Sequence, residues 1–199
     1  MTRGNLKQYV DLLRLYFMHP GFEFHALLID RLDPRFSLGL WAGDQWRAYV
    51  QFVAELMRRR VSRDVFAIVD LQGGPLASHQ ALEDALCSLS NVKACLRASS
   101  ETSVFLQLVD VLLGCLQFDW NDAHQRYGVG SGRAEAKRQV THFVKARLGM
   151  PLDEPMLTDD QPHRRWSKTS IFSATLWRAP EGKRKRAVMF GAAPANGTD

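Results

Sequence analysis

"SETSVFLQLVDVLLGCLQFD", residues 100–119, is a run of valine, leucine and phenylalanine with one aspartate, Asp110, near its middle. A carboxylate taken into an apolar interior is costly unless it is paired or gives up its charge. On a helical wheel of about 100° per residue, Ser103, Gln107, Asp110, Gly114, Gln117 and Asn121 fall on one narrow stripe, and nearly everything else as far as Leu116 is apolar. A helix that is apolar almost all round belongs inside a layered core. Its polar stripe is then expected to face something polar, inside the protein or at a cleft, with Gly114 allowing close approach. Two roles are open to Asp110. It can be tied by an arginine or by backbone N–H groups, with Gln107 in support. It can also be a ligand for Mg²⁺ or Mn²⁺, hard cations that take oxygen ligands and need only one or two carboxylates beside waters and phosphates.

The segments around this helix give its setting. "NLKQYVDLLRLYFM" (5–18) has helical spacing and stops at Pro20-Gly21. "FEFHALLID" (22–30) and "DVFAIVD" (64–70) are short apolar runs bounded by turn residues and read as buried strands. Each ends on an aspartate, Asp30 and Asp70. Between them "DQWRAYVQFVAELMRRR" (44–60) reads as a helix with Asp44 as N-cap and Arg58–Arg60 in the last turn, where cations suit the helix dipole. Ser78 is expected to cap a helix through about Leu89, "VKACLRASS" (92–100) alternates like a strand, and Ser99 or Ser100 is expected to cap the helix of the opening. "RAEAKRQVTHFVKARLG" (133–149) is a basic amphipathic helix closed by Gly149 and Pro151, residues 150–168 read as irregular, and "SIFSATLW" (170–177) as a last strand. Strands alternating with helices predict an α/β fold with a mixed, largely parallel sheet flanked by helices. In such sheets ligands sit beyond the carboxyl ends of the strands, where Asp30 and Asp70 stand.

The 199 residues suffice for one domain, here 1–178, followed by a basic tail, 179–199. The apolar share of 46% and charged share of 24% exclude the disordered and membrane-spanning classes, and no apolar run reaches the length of a membrane helix. Cys87, Cys95 and Cys115 show no metal-ligand spacing and read as reduced thiols of a cytoplasmic protein. The net charge of +5 is concentrated late, in "HRRWSK" (163–168) and "GKRKR" (182–186). These stretches are either solvated or in contact with phosphates.

Several of these segments resemble the DUF3800 family. "SETSVFLQLVDVLLGCLQFD" resembles its Glu-Ser…Leu-Gln-Leu-Ala-Asp-Leu-Leu-x-Gly-Ala hallmark, "FHALLIDR" and "FAIVDLQ" its aspartate-ending strands, "GRAEAKRQV" its Ser-Lys-Ala-Lys helix start, and "SIFSATLW" loosely its closing strand. The resemblance runs from about Leu6 to Trp177. It implies a ribonuclease H-like fold and a metal-dependent nuclease of the kind carried with mobile elements or defence systems. By position, Asp30, Asp70 and Asp110 would be the metal ligands, Glu101 and Gln107 would orient water or a ligand carboxylate, and Lys137 would contact phosphate. The family's opening strand with Asp-Glu-Ser-Gly has no counterpart here, so the chain corresponds to the carboxyl-terminal two-thirds of such a domain, N-terminally incomplete.

The remaining residues of interest read more plainly. His25 is expected as a packed core histidine and His79 as a helix-start surface histidine. "LQGGP" (71–75) lacks the Lys-Ser/Thr of a phosphate loop. Trp41, Trp46 and Trp120 are expected in the core or at its rim, and Asp119 and Asp122 are either an extension of the acidic site or ordinary acids of a helix end. The expectation is therefore a Mg²⁺- or Mn²⁺-dependent nuclease of DNA or RNA, or its remnant. The alternative is a catalytically inactive module that binds nucleic acid or a partner chain, the partner or a second copy completing the sheet.

Overall fold

The computed structural model describes residues 5–33, 36–41, 43–60, 63–70, 76–126, 132–167 and 170–178. In chain order the elements are α1 (Leu6–Met18), β1 (Glu23–Leu28), a 3₁₀ turn (Leu38–Trp41), α2 (Gln45–Arg60), β2 (Val65–Asp70), α3 (Leu76–Cys87), β3 (Val92–Ala98), α4 (Val104–Ala123), α5 (Gly132–Leu148), β4 (His163–Ser167) and β5 (Ile171–Leu176). The α/β class follows the sequence. The sheet does not form one continuous ladder. β1 pairs with β5 in parallel and β4 adds to β5 antiparallel, while β2 and β3 form a separate parallel pair.

Several element ends follow local chemistry. The carboxylate of Asp44 accepts from the N–H groups of Trp46 and Arg47, at 2.8 and 3.2 Å, so it caps α2 as expected. Helix α4 is capped by Ser103, which accepts from Leu106 N–H at 3.4 Å, and not by Ser99 or Ser100. Those two shape the turn that enters it: Ser99 Oγ accepts from Glu101 N–H. Helix α3 starts at Leu76, ahead of Ser78, which therefore lies inside the helix. At the end of α5, Gly149 takes φ 74°, a conformation that glycine adopts without steric cost. Met150 N–H then bonds back to Lys145 C=O at 2.9 Å, folding the next segment under the helix.

The stretch 163–167 is a strand, where an irregular segment was expected. Trp166 packs edge-on against Phe172, and Arg164 turns inward to Glu154 at 2.5 Å. His163, Arg165 and Ser167 alternate outward.

The main core lies where α1, α4 and α5 cover one face of β1 and β5, through Leu13, Tyr16, Phe24, Ala26, Leu112, Leu116, Val140, Val144 and Phe172. On the opposite face, Leu27 and Ile29 meet Trp41, Ala48 and Phe52 of the 3₁₀ turn and α2. Further along, α2 also packs with α3 on Ala67, Val65 and Val69 of β2. One helix thus spans the two strand groups. Among the described residues no helix is long and apolar enough to cross a membrane. The tail, 179–199, lies outside the described residues.

Candidate functional site

Asp70 closes β2, and its Oδ1 accepts from Ser100 N–H at 3.0 Å. Ser100 belongs to the turn that leads into α4, so the strand end and the helix start are fastened together. Asp110, two turns into α4, comes within electrostatic range of Asp70. The helix is not buried all round as its composition suggested. Val111, Leu112, Cys115 and Leu116 face the core, whereas Phe105, Gln107, Val109, Asp110, Leu113 and Gln117 lie on an exposed side. The Asp110 carboxyl nevertheless stands above the usual aspartate range, because neighbouring protein removes part of its hydration and the charge of Asp70 adds repulsion. Tyr49, in α2, is raised by burial and then by the same Asp70. The charge of Asp70, at a strand end, thus reaches Asp110 on α4, and no cation among the described residues is bonded to either.

Asp30 is placed differently. Arg126, just beyond α4, clamps it with two bonds, Nη1 to Oδ1 at 3.2 Å and Nη2 to Oδ2 at 2.8 Å. This guanidinium holds the Asp30 carboxyl below the usual aspartate range, with Leu32 N–H bonding at 3.0 Å in support. Asp30 therefore has the arginine partner that the sequence left open for Asp110. Among the described residues no three acid, histidine or cysteine side chains gather into a cation site.

The supporting residues divide likewise. Gln107 donates from its amide to the Glu101 carbonyl at 3.3 Å, which braces the entry to α4. The Glu101 side chain is exposed at that turn. Lys137 stands half-buried on α5. The side chain of His79 and the "LQGGP" stretch lie outside the described residues. Trp41 and Trp120 are buried and Trp46 is half-buried against Tyr49, as core and rim aromatics.

Two polar clusters went unseen in the sequence. Asp119 is inside α4 and buried. It pairs with the buried Lys145 at 2.5 Å and accepts from Met156 N–H at 2.6 Å, while Lys145 also donates to the Leu152 carbonyl at 3.0 Å. This pair lines a cavity of about 320 Å³ with Asp122, Arg138, Thr141 and His142. Its charges are mutually satisfied, since Arg138 binds Asp122 and Glu135. The second cluster is a row across β1 and β5. His25 shares hydrogen bonds with Ser173 Oγ at 2.6 Å and Glu23 at 3.0 Å. Ser173 is only 1% exposed, which shuts a substrate out, and His25 is half-buried and hydrogen-bonded where a packed core histidine was expected.

The Asp70–Asp110 pair carries a stability prediction. The folded state raises the Asp110 carboxyl, so ionising it works against folding, and that cost grows as pH rises from the ordinary aspartate value near ~4. Asp110→Asn is expected to match or exceed the wild-type melting temperature at pH 7, with the difference closing toward pH 4. Thermal denaturation at the two pH values checks this. A melting temperature lowered by several degrees at pH 7 would mean that the carboxylate anchors the fold. No protein-family model, curated protein or solved structure matches this chain.

Proposed function

We propose that this chain is a Mg²⁺- or Mn²⁺-dependent domain that cleaves phosphodiester bonds of nucleic acid, with Asp70 and Asp110 as the cation ligands. One feature carries the reading: the charge of Asp70, at the carboxyl end of β2, acts on the Asp110 carboxyl of α4, and no cationic side chain among the described residues is bonded to either. Such a pair suits a hard divalent ion, which takes one or two carboxylates and fills its remaining positions with water and phosphate oxygens. When bound, the ion would polarise the phosphodiester and lower the pKa of attacking water. The chain's own residues supply the setting. Ser100 N–H fixes one oxygen of Asp70, and Gln107 holds the turn before α4 so that Asp110 keeps its position relative to the strand. Asp30, engaged by Arg126, is left out of the ligand set. The motif resemblance to DUF3800 supports the same chemistry.

The test pairs a binding measurement with an activity measurement. Mn²⁺ is expected to raise the melting temperature of the wild-type protein and not that of Asp110→Asn. Cleavage of labelled single- and double-stranded DNA and RNA in Mn²⁺ is expected to fall by roughly a hundredfold in Asp110→Asn. Cleavage that survives this substitution refutes the site.

A second reading is a module that binds a nucleic acid or protein partner without cutting. Its support is the exposed apolar side of α4 and of the β2–β3 pair. Retention of a labelled oligonucleotide with no cleavage in Mn²⁺ would favour it.

A further inference from the structure

Helix α3 joins two parallel strands, β2 and β3, and so runs back against their direction. Residues 88–91 separate it from β3 in a tight corner. Leu89 N–H bonds to the Leu86 carbonyl and Val92 N–H to the Leu89 carbonyl, both at 3.0 Å. Leu86, Val92 and Cys95 meet in one apolar cluster, so Cys95 stands on the face of β3 that α3 covers. Arg97, two residues on, shares that face by alternation. Its Nε bonds to Glu83 of α3 at 2.5 Å.

This ion pair sets the register between helix and strand. One turn from Glu83 along α3 is Cys87, on the same flank of the helix. That step is about 6 Å. Two residues back from Arg97 is Cys95, a step of about 6.6 Å taken against the chain direction. Because the two elements run against each other, both steps lead to the same place. Cys87 comes to stand over Cys95 as Glu83 stands over Arg97. Among the described residues β3 has no strand beyond it, and this flank meets solvent: Cys87 is exposed and Cys95 half-buried.

The thiols differ in reactivity. Burial, and after it the charge of Cys87, lifts the Cys95 thiol above the ordinary thiol range, so Cys95 keeps its proton while Cys87 meets oxidants first. Cys115 is 1% exposed in the main core, and burial pushes its thiol up to about 12. It is an internal control.

We propose that Cys87 and Cys95 form a dithiol that hydrogen peroxide oxidises to an intrachain disulfide. The Cys87 sulfur attacks the O–O bond. A sulfur–oxygen bond forms, Cys87 becomes a sulfenic acid, and the second oxygen leaves as water with the thiol proton. The Cys95 sulfur then attacks the Cys87 sulfur. The S–S bond forms, the S–O bond breaks, and the hydroxyl leaves as water with the Cys95 proton. The two sulfurs together give up two electrons, and the peroxide is reduced to water. Thiol reductants reopen the bond, which makes it a reversible record of oxidation. Closed, it clasps the last turn of α3 to β3. The proposal is independent of the cleavage reading, and its test uses no catalytic signal.

The full chain, reduced and freed of reductant, is exposed to hydrogen peroxide at neutral pH. Thiols are counted with DTNB in denaturant, and the intact mass is measured. The count is expected to fall from three to one, and the mass by about 2 Da. Trypsin is expected to release residues 64–93 joined to residues 94–97, a species that dithiothreitol separates. Cys87→Ser, at an exposed position, is expected to keep both remaining thiols. Cys95→Ser removes the resolving thiol and is expected to carry Cys87 on to the sulfinic acid, with the mass raised by about 32 Da.

Three thiols still titrating in the oxidised wild type would overturn the proposal. So would a single thiol lost with oxygen added to Cys87. Either result would mean that the two Cα atoms stand farther apart than the roughly 7 Å a disulfide spans. Disulfide-linked dimers, or a link through Cys115, would overturn it as well.

Discussion

Lys145→Met is expected to lower the unfolding free energy by about 3–5 kcal/mol. Lys145 and Asp119 are both almost fully buried, so the methionine leaves a carboxylate in the interior without a counter-charge. The Leu152 carbonyl loses its donor as well. Replacing both partners, as Lys145→Met/Asp119→Asn, removes the stranded charge and should restore a good part of the loss. Restoration stays incomplete because Met156 N–H bonds more weakly to a neutral amide than to a carboxylate. Urea unfolding of the two variants decides the matter. A single-variant loss below about 1 kcal/mol would mean that water reaches the pair.

Phe172→Ala should be of similar size, about 3–5 kcal/mol, or a fall in melting temperature on the order of 10 °C. Phe172 is fully buried on β5, the strand between β1 and β4. Its ring meets Phe24 at 4.8 Å on one side and Trp166 at 5.5 Å on the other. An alanine there opens a cavity that rigid strands on both sides cannot close. Thermal denaturation of the variant at neutral pH measures the effect. A loss of less than about 1 kcal/mol would show that α1 and α5 move in to fill the space.

These residues also show how far sequence reasoning reaches. β1, β2 and β5 were legible because continuous apolar runs bounded by turns report burial on their own. β4 was not. Arg164 is cationic yet turns inward, where Glu154 pairs with it and its guanidinium lies 5.2 Å from the Trp166 ring. Polarity patterns do not carry such a partner. The same blindness applies to Asp30. In sequence it is equivalent to Asp70, an aspartate closing an apolar strand. What separates them is Arg126, 96 residues further on. Helix α4 was legible as a helix, while its exposed side was not, since a bare apolar face and a buried one are written in the same residues. The rule that α/β sites gather beyond strand ends singled out Asp30 and Asp70 beside Asp110; in the structure the charge of Asp70 acts on Asp110, while Asp30 is held by Arg126. The break between the β1 and β2 groups was not legible, because it depends on which strand edges meet.

The position of β4 has a consequence for aggregation. It forms the outer border of its sheet, is only five residues long, and presents His163 and Arg165 outward. Short, cationic borders resist the lateral stacking of like chains that leads to fibrils. That flank is shielded, and lengthening of this sheet by a further strand falls to the side of β1.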